Sequence, residues 1–239
     1  MGQSNYLKGN HLLLSLPLSV SQRWESELEP VDLKLGQVLY ESSRKIQYSY
    51  FPINCIVSLL YVLEDGSSTE IAVVGNEGIV GISLFMGGDT TPSRAVVQSA
   101  GTSFRINSGF LKTEFSNSLP LMHLLLRYTQ ALLTQMTQTA VCNRHHTLDQ
   151  QLCRWLLLSM DRLTSNDLVM TRELIANMLG VRREGVTEAA GSLQTAGLIS
   201  YSRGKIKVLD RMGLEKRSCE CYSVVKNEYD RLLPNLIAE

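Results

Sequence analysis

The sequence predicts an α+β chain in three parts: a rolled sheet of short strands, one long helix, and a helix-turn-helix followed by a basic hairpin. Three observations carry this reading. Short apolar runs recur between Val31 and Ile106 with turn residues between them. From Leu119 apolar residues return at spacings of three and four over about five turns. From Thr171 to Leu193 two short amphipathic segments flank Gly180.

Taken in order, the periodicity predicts a helix over 17–29, with Ser19 and Gln22 placed as a capping box. Strands are expected at 36–40, 56–63, 70–74, 95–98 and 103–106. Asp65-Gly66 is a hairpin turn signal, and Gly75-Asn76-Glu77-Gly78 and the run from Gly87 to Thr90 are further turns. Strands this short and evenly spaced suit a small closed or rolled β domain.

The stripe Leu121, Leu124, Leu125, Tyr128, Leu132, Gln135, Met136 and Thr139 then needs a partner. A coiled-coil-like homodimer seam is the first reading, and we assign Leu121 to Met136 of that stripe to it. Packing on the chain's own β domain is the other, and different faces can serve both. Cys142 to His146 interrupts the pattern and marks a hinge, and a further helix is expected over 147–160. The polar run 164–167 leads into the helix-turn-helix, and one last helix is expected over 214–233. The parts are therefore 1–118, 119–142 and 143–239.

Leu174, Ile175, Met178 and Leu179 form the apolar face of the first motif helix, and Val186, Ala189, Ala190 and Leu193 that of the second. Gly180 supplies the left-handed conformation that the turn requires. Arg182, Arg183 and Glu184 then open the second helix. A helix entering the major groove end-on presents such residues to base edges, where arginine pairs bidentately with guanine and glutamate accepts from cytosine N4. The strands expected beyond it turn at Arg203-Gly204 and carry Lys205 and Lys207, a basic wing suited to a phosphate backbone.

From Thr171 to Lys207 the chain resembles the DNA-binding domain of the Crp/Fnr family of bacterial transcription regulators. The residues that carry the resemblance are Thr171-Arg172-Glu173, Leu179-Gly180, the run Val181 to Thr187, and Gly197-Leu198-Ile199. It extends more loosely upstream. It implies a cyclic-nucleotide-binding-like jelly roll, a dimerisation helix, double-stranded DNA with a palindromic site as partner, and RNA polymerase as a second partner. It also implies base reading by Arg183 and Glu184, with Thr187 and Glu188 on the same helix. Phosphate contacts would come from Thr171, Arg172, Arg182, Ser202, Arg203 and Lys205. Glu188 stands where the family's cyclic-AMP-responsive member has a third base-contacting arginine, so a different half-site is expected.

The same resemblance raises an effector. Its cyclic-nucleotide signature is Gly-Glu and, roughly ten residues on, an arginine that neutralises the phosphate. Ser93-Arg94-Ala95 stands at the arginine's place, but Ile82, Ser83 and Leu84 occupy the positions upstream where the carboxylate belongs. Glu77 is the nearest substitute. We therefore take Arg94, Ala95 and Glu77 as the candidate effector set and expect no cofactor, since this cassette does not support a cyclic nucleotide.

Composition agrees with a regulator. The formal net charge of zero divides into −2 over residues 1–140 and +2 over 141–239, so the basic residues gather around the motif. No run approaches the roughly 20 apolar residues of a membrane span. The first six residues lack a signal-peptide pattern, and a cytoplasmic location is expected. No Gly-x-Ser-x-Gly elbow or paired-acid pattern points to an enzyme. The cysteines are Cys55, Cys142, Cys153, Cys219 and Cys221, an odd set without disulfide spacing. None precedes Cys55, against the N-terminal iron–sulfur version of the family. Cys219-Glu220-Cys221 has no second Cys/His pair nearby in sequence, and His145-His146 diverge on a helix, so no metal is expected. A redox-responsive regulator using Cys142, Cys153 or the Cys219–Cys221 pair is the alternative.

Overall fold

The computed structural model describes residues 9–163 and 167–233 of the chain. The first six residues and positions 164–166 of the polar run lie outside the described residues. Two short helices come first, α1 (His11–Leu14) and α2 (Leu18–Trp24). Asn10 caps α1, accepting from the Leu13 N–H at 3.1 Å, and its amide donates to the carbonyls of Pro52 (2.8 Å) and Gly78 (2.9 Å). The helix expected over 17–29 ends at Trp24, and Pro17 rather than Ser19 stands at its N-cap. The chain is already strand at Glu29.

The roll consists of two antiparallel sheets. One has the order β1-β7-β3, from β1 (Glu29–Leu33), β7 (Gly101–Asn107) and β3 (Tyr48–Pro52). The other runs β2-β6-β4-β5, from β2 (Val38–Tyr40), β6 (Ser93–Ser99), β4 (Ile56–Val62) and β5 (Ser68–Val74). The strands β1 and β3 carry prolines at 30 and 52, which hides them from a propensity reading. Val57, Leu59, Val97, Phe51, Phe104 and Trp24 pack between the sheets.

After α3 (Ser108–Asn117), α4 (Leu119–His145) crosses the roll. Leu121, Leu124, Leu125, Tyr128, Leu132 and Gln135 are buried in the chain's own fold, and Met136 packs half-buried against the same core. These are the residues expected at a dimer seam. They cover the roll instead, sharing one cluster with Val74, Ile79 and Val80. Gln135 spans the junction: its Oε1 accepts from the Val73 N–H (2.8 Å) and its Nε2 donates to the Val73 carbonyl (3.2 Å). A different stripe of α4 faces outward. Leu119, Leu126 and Leu133 are 58%, 46% and 49% exposed, and Ala140 continues their seven-residue spacing.

The interruption expected from Cys142 comes later, since α4 stays helical to His145; Thr147 then caps α5 (Leu148–Met160) in a reciprocal capping box with Gln150. The C-terminal part continues with β8 (Asp167–Val169), α6 (Arg172–Leu179), α7 (Arg183–Thr195), β9 (Ile199–Ser202) and β10 (Lys205–Val208). The single helix expected over 214–233 is two, α8 (Arg211–Arg217) and α9 (Glu220–Leu232). The chain turns between them at Ser218 and Cys219, without a glycine or proline to signal it.

The helix α5 is buried along its length, and one side rests on the β4–β5–β6 sheet through a polar seam. The Trp155 indole donates to Glu70 Oε1 (3.1 Å), Glu70 Oε2 lies 2.6 Å from Ser58 Oγ, and Ser58 Oγ lies 2.7 Å from Gln98 Oε1. Gln98 Nε2 reaches Ser159 Oγ at 3.4 Å. A hydroxyl has one proton to give. If Ser58 donates to Gln98, a neutral Glu70 carboxyl donating to Ser58 completes the chain. Burial pushes the Glu70 acid up to about 7, against hydrogen bonds from Ser58 and Trp155 and the charges of Arg154 and Arg162. An acid raised in the folded state binds more protons there than when unfolded. Stability therefore declines as pH rises from the ordinary carboxylate value to about 7, and is level above it. Glu70→Gln keeps a donor toward Ser58 and removes the titration. In urea unfolding between about pH 5 and about pH 7 the variant should lack the Glu70 part of the decline, so that the wild type loses up to a few kcal/mol relative to it.

Candidate nucleic-acid interface

The helix-turn-helix forms because each local choice agrees with the next. Thr171 caps α6, its Oγ1 accepting from the Leu174 N–H (3.2 Å). Ile175, Ala176, Met178 and Leu179 are buried beneath it. Gly180 takes φ 66° as the C-cap, and the Val181 N–H returns to the Ala176 carbonyl at 3.0 Å. Val186, Ala189, Ala190 and Leu193 then bury the inner face of α7.

What is left outside is the set of polar residues expected to meet DNA. Arg182, Arg183, Glu184, Thr187 and Glu188 are all exposed along the first half of α7. Arg182 is the N-cap without a side-chain bond, which leaves its guanidinium projecting.

The wing is built as expected at its turn and is larger than expected in its sheet. Arg203 (φ 50°) and Gly204 (φ 76°) both take left-handed conformations, as a tight two-residue hairpin of this kind requires. β10 pairs antiparallel with β9 on one side and with β8 on the other. Three-residue β8 has no alternation long enough to read. Ser202, Arg203, Lys205 and Lys207 are exposed, while Ile206 is buried.

Between wing and helices lies a groove of about 370 Å³ lined by Thr171, Arg172, Glu173, Arg183, Tyr201 and Arg203. The Arg172 guanidinium sits 4.8 Å from the centre of the Tyr201 ring, and its Nε has no hydrogen-bond partner. The Tyr201 hydroxyl donates to the Met170 carbonyl at 2.8 Å, fixing the ring under the arginine. Three guanidinium groups thus border one concavity, a geometry suited to an anionic backbone.

The candidate effector residues do not converge. Arg94 Nε lies 3.2 Å from Glu41 Oε2, and Ala95 is fully buried in β6. Glu77 faces the other way: its Oε1 accepts from Arg162 Nε at 2.8 Å, where α5 ends. Glu77 therefore belongs to the junction between roll and C-terminal part, not to a pocket with Arg94. Burial pushes the Cys55 and Cys153 thiols up to about 12, which leaves both inert. The other three cysteines are not isolated from histidine, as the sequence spacing suggested. The fold gathers Cys142, Cys219, Cys221 and His146 so that one donor atom from each lies within 4.8 Å of the others.

A three-stranded wing behind two helices, the second exposed at its N-terminus, defines a winged helix-turn-helix. Residues 150–217 match the sequence model of the Crp-like helix-turn-helix domain. No curated protein sequence matches the chain. Solved structures align over nearly the full length. A Crp/Fnr-family regulator from Eubacterium rectale matches with a TM-score of 0.67 at 19% identity, over 86% of this chain and 96% of its own. FixK2 from Bradyrhizobium japonicum matches at 0.67 and 17%, over 80% and 98%. A CRP-family regulator from Thermus thermophilus matches at 0.65 and 17%, over 79% and 96%. The C-terminal part is a Crp-like helix-turn-helix domain, and the chain as a whole has the fold of Crp/Fnr regulators.

Gly180 also touches the roll. A Cβ there would lie 2.8 Å from Thr69 Oγ1 of β5, besides straining the left-handed backbone. Gly180→Ala should cost roughly 1–2 kcal/mol from the backbone alone. Adding Thr69→Ala should recover the steric part, read as a partial return of Tm.

Proposed function

We propose that the protein is a cytoplasmic, sequence-specific DNA-binding transcription regulator that acts as a homodimer. The observation that carries this is the outward row Arg182, Arg183, Glu184, Thr187 and Glu188 on a helix whose other face is fully committed to the core. Exposed side chains on a rigid element can enter a major groove without local unfolding. Arg183 and Glu184 take the base-reading positions, and Thr187 and Glu188 lie one turn further along. Arg172, Arg203 and Lys205, with Thr171 and Ser202, face the flanking phosphates. Arg183→Ala should weaken binding to the cognate site by roughly 1–3 kcal/mol and relax one base position, measured by mobility shift against sites varied base by base. An equal loss on random DNA would instead assign Arg183 to the backbone.

The dimer in this reading uses the outward stripe of α4, not the stripe buried against the roll. Leu119, Leu126, Leu133 and Ala140 recur every seven residues, the repeat of a two-helix seam, and their exposure in one chain leaves apolar area for a second copy to cover. Two-fold symmetry then places two wings on half-sites about one helical turn apart. Because these leucines are exposed, Leu126→Glu with Leu133→Glu should leave the chain folded. Sedimentation should show a monomer, and footprinting should lose the paired half-sites. A dimer that survives both changes sinks this seam.

The roll is proposed as a sensor without a cyclic-nucleotide cassette of the usual kind. It is linked to the DNA-binding part by the Glu77–Arg162 pair, the Glu70–Trp155 seam and the packing of α6 on β5.

A further inference from the structure

The last turn of α4 and the start of α9 meet at a cluster of soft ligands that the regulator reading does not use. Cys142 and His146 are four residues apart, on one face of the end of α4. Cys219 is the N-cap of α9, and Cys221 lies in its first turn. The Cys142 and Cys219 sulfurs are 3.5 Å apart, and Cys221 Sγ is 3.6 Å from His146 Nδ1. All four donor atoms lie within 4.8 Å of one another. A tetrahedral ion with metal–sulfur bonds of about 2.3 Å places its sulfurs about 3.8 Å apart, and a nitrogen ligand slightly closer. The spacing suits one ion and is too tight for a multi-iron cluster. It is also too long for a disulfide, which needs about 2.05 Å.

Two surrounding contacts point the same way. His146 turns Nδ1 toward the thiols and Nε2 toward the Glu220 carboxylate, 3.3 Å away. Metal-bound histidines are commonly oriented by such an outer carboxylate, which fixes the tautomer that leaves the other nitrogen to ligate. Arg154 is 3% exposed, and its Nη1 donates to Thr139 Oγ1 at 3.3 Å while its Nε has no partner. Among the described residues it makes no ion pair, and its charge acts on Cys142 and Cys221 as well as on the buried Glu70. A buried guanidinium is costly unless negative charge lies close by, and Glu70, kept largely neutral by its burial, supplies only part of it. Three thiolates and a neutral imidazole around a divalent ion form a centre of charge −1, which Arg154 balances.

We propose that Cys142, His146, Cys219 and Cys221 form a closed, four-coordinate Zn²⁺ site that ties the C-terminus of α4 to the N-terminus of α9 across the hinge into α5. The ligand set is thiolate-rich, and its protein donors fill every position, the pattern of a structural rather than catalytic zinc. Each thiol that binds releases a proton to solvent, and nothing is oxidised or reduced. The ion fastens the helix that lids the roll to the bundle that carries the reading helix. Removing it should loosen that bundle without touching the DNA-facing residues.

The test uses the full-length protein prepared with zinc supplied, then dialysed against metal-free buffer. Elemental analysis should give about one zinc per chain. Replacement by Co²⁺ should give the intense visible bands of tetrahedral thiolate ligation. Cys219→Ser and His146→Ala should lower the zinc content, and Cys153→Ser, outside the cluster, should keep it. Because the cluster variants can also disturb folding, the wild type gives the independent reading. A competing chelator should lower its Tm, and added Zn²⁺ alone should restore it. A wild-type chain that is folded by circular dichroism yet carries no zinc overturns the proposal. So does a Cys219→Ser variant that keeps its full zinc content, or recovery of Cys142 and Cys219 as a disulfide in place of metal. DNA affinity does not enter these readouts, so a failure of the regulator reading remains separate.

Discussion

The arrangement of the molecule depends on how α5 is seated on the β4–β5–β6 sheet. One side of a helix that is buried throughout meets a sheet that already has its own core behind it. The contact is therefore made by a row of polar atoms as well as by apolar ones. Ile56 and Val73 of the roll belong to the apolar cluster of the C-terminal part. Beside them the Trp155, Glu70, Ser58, Gln98 and Ser159 chain and the Arg162–Glu77 pair satisfy one another in an environment where an unmatched group would be expensive. Polar contacts require alignment, so they set one orientation of the two parts where a greasy contact would tolerate several. That makes the orientation specific, and it makes the junction separable by anything that rearranges one of its members.

Such a seating matters because α7 is held mainly by its own neighbours in the C-terminal part, α5, α6 and β9. It packs on α5 and on α6, and α6 in turn packs directly on β5 of the roll, beside the approach of Gly180 to Thr69. Arg217 pairs with Asp149 and reaches Ser192 Oγ at 2.6 Å, which joins α8, α5 and α7 in one polar knot. A shift of α5 would carry the whole winged module with it as a body. The exposed row on α7 would move without changing its own conformation.

The parts of the fold that were legible in the sequence are those decided locally. The helix-turn-helix shows itself through apolar spacing and Gly180, and the wing turn through Arg203-Gly204. The break between α4 and α5 was placed a few residues early, at Cys142, because the apolar period fades before the helix ends at His145. Long helix α4 was equally plain, but its pairing was not. It carries two apolar stripes, one through Leu121, Leu125 and Leu132 and one through Leu119, Leu126 and Leu133, both at helical spacing. Which of them a chain hides for itself depends on what the roll leaves uncovered, and that is a tertiary fact. The same holds for Glu77, whose partner comes from 85 residues downstream, and for the cysteine cluster. Cys142 and His146 were a visible i, i+4 pair, and Cys219 and Cys221 a visible neighbour pair. The separation of 77 positions from Cys142 to Cys219 concealed that they are one set.

The two tryptophans of the chain occupy very different places. Trp24 lies inside the roll with its indole on Glu114, whereas Trp155 stands at the junction with its indole on Glu70. An indole's emission shifts with the polarity and the charge around its ring nitrogen. The molecule thus carries an intrinsic optical gauge of its own articulation. Light from one ring reports on the interior of the roll, and light from the other on the seam where α5 meets the sheet.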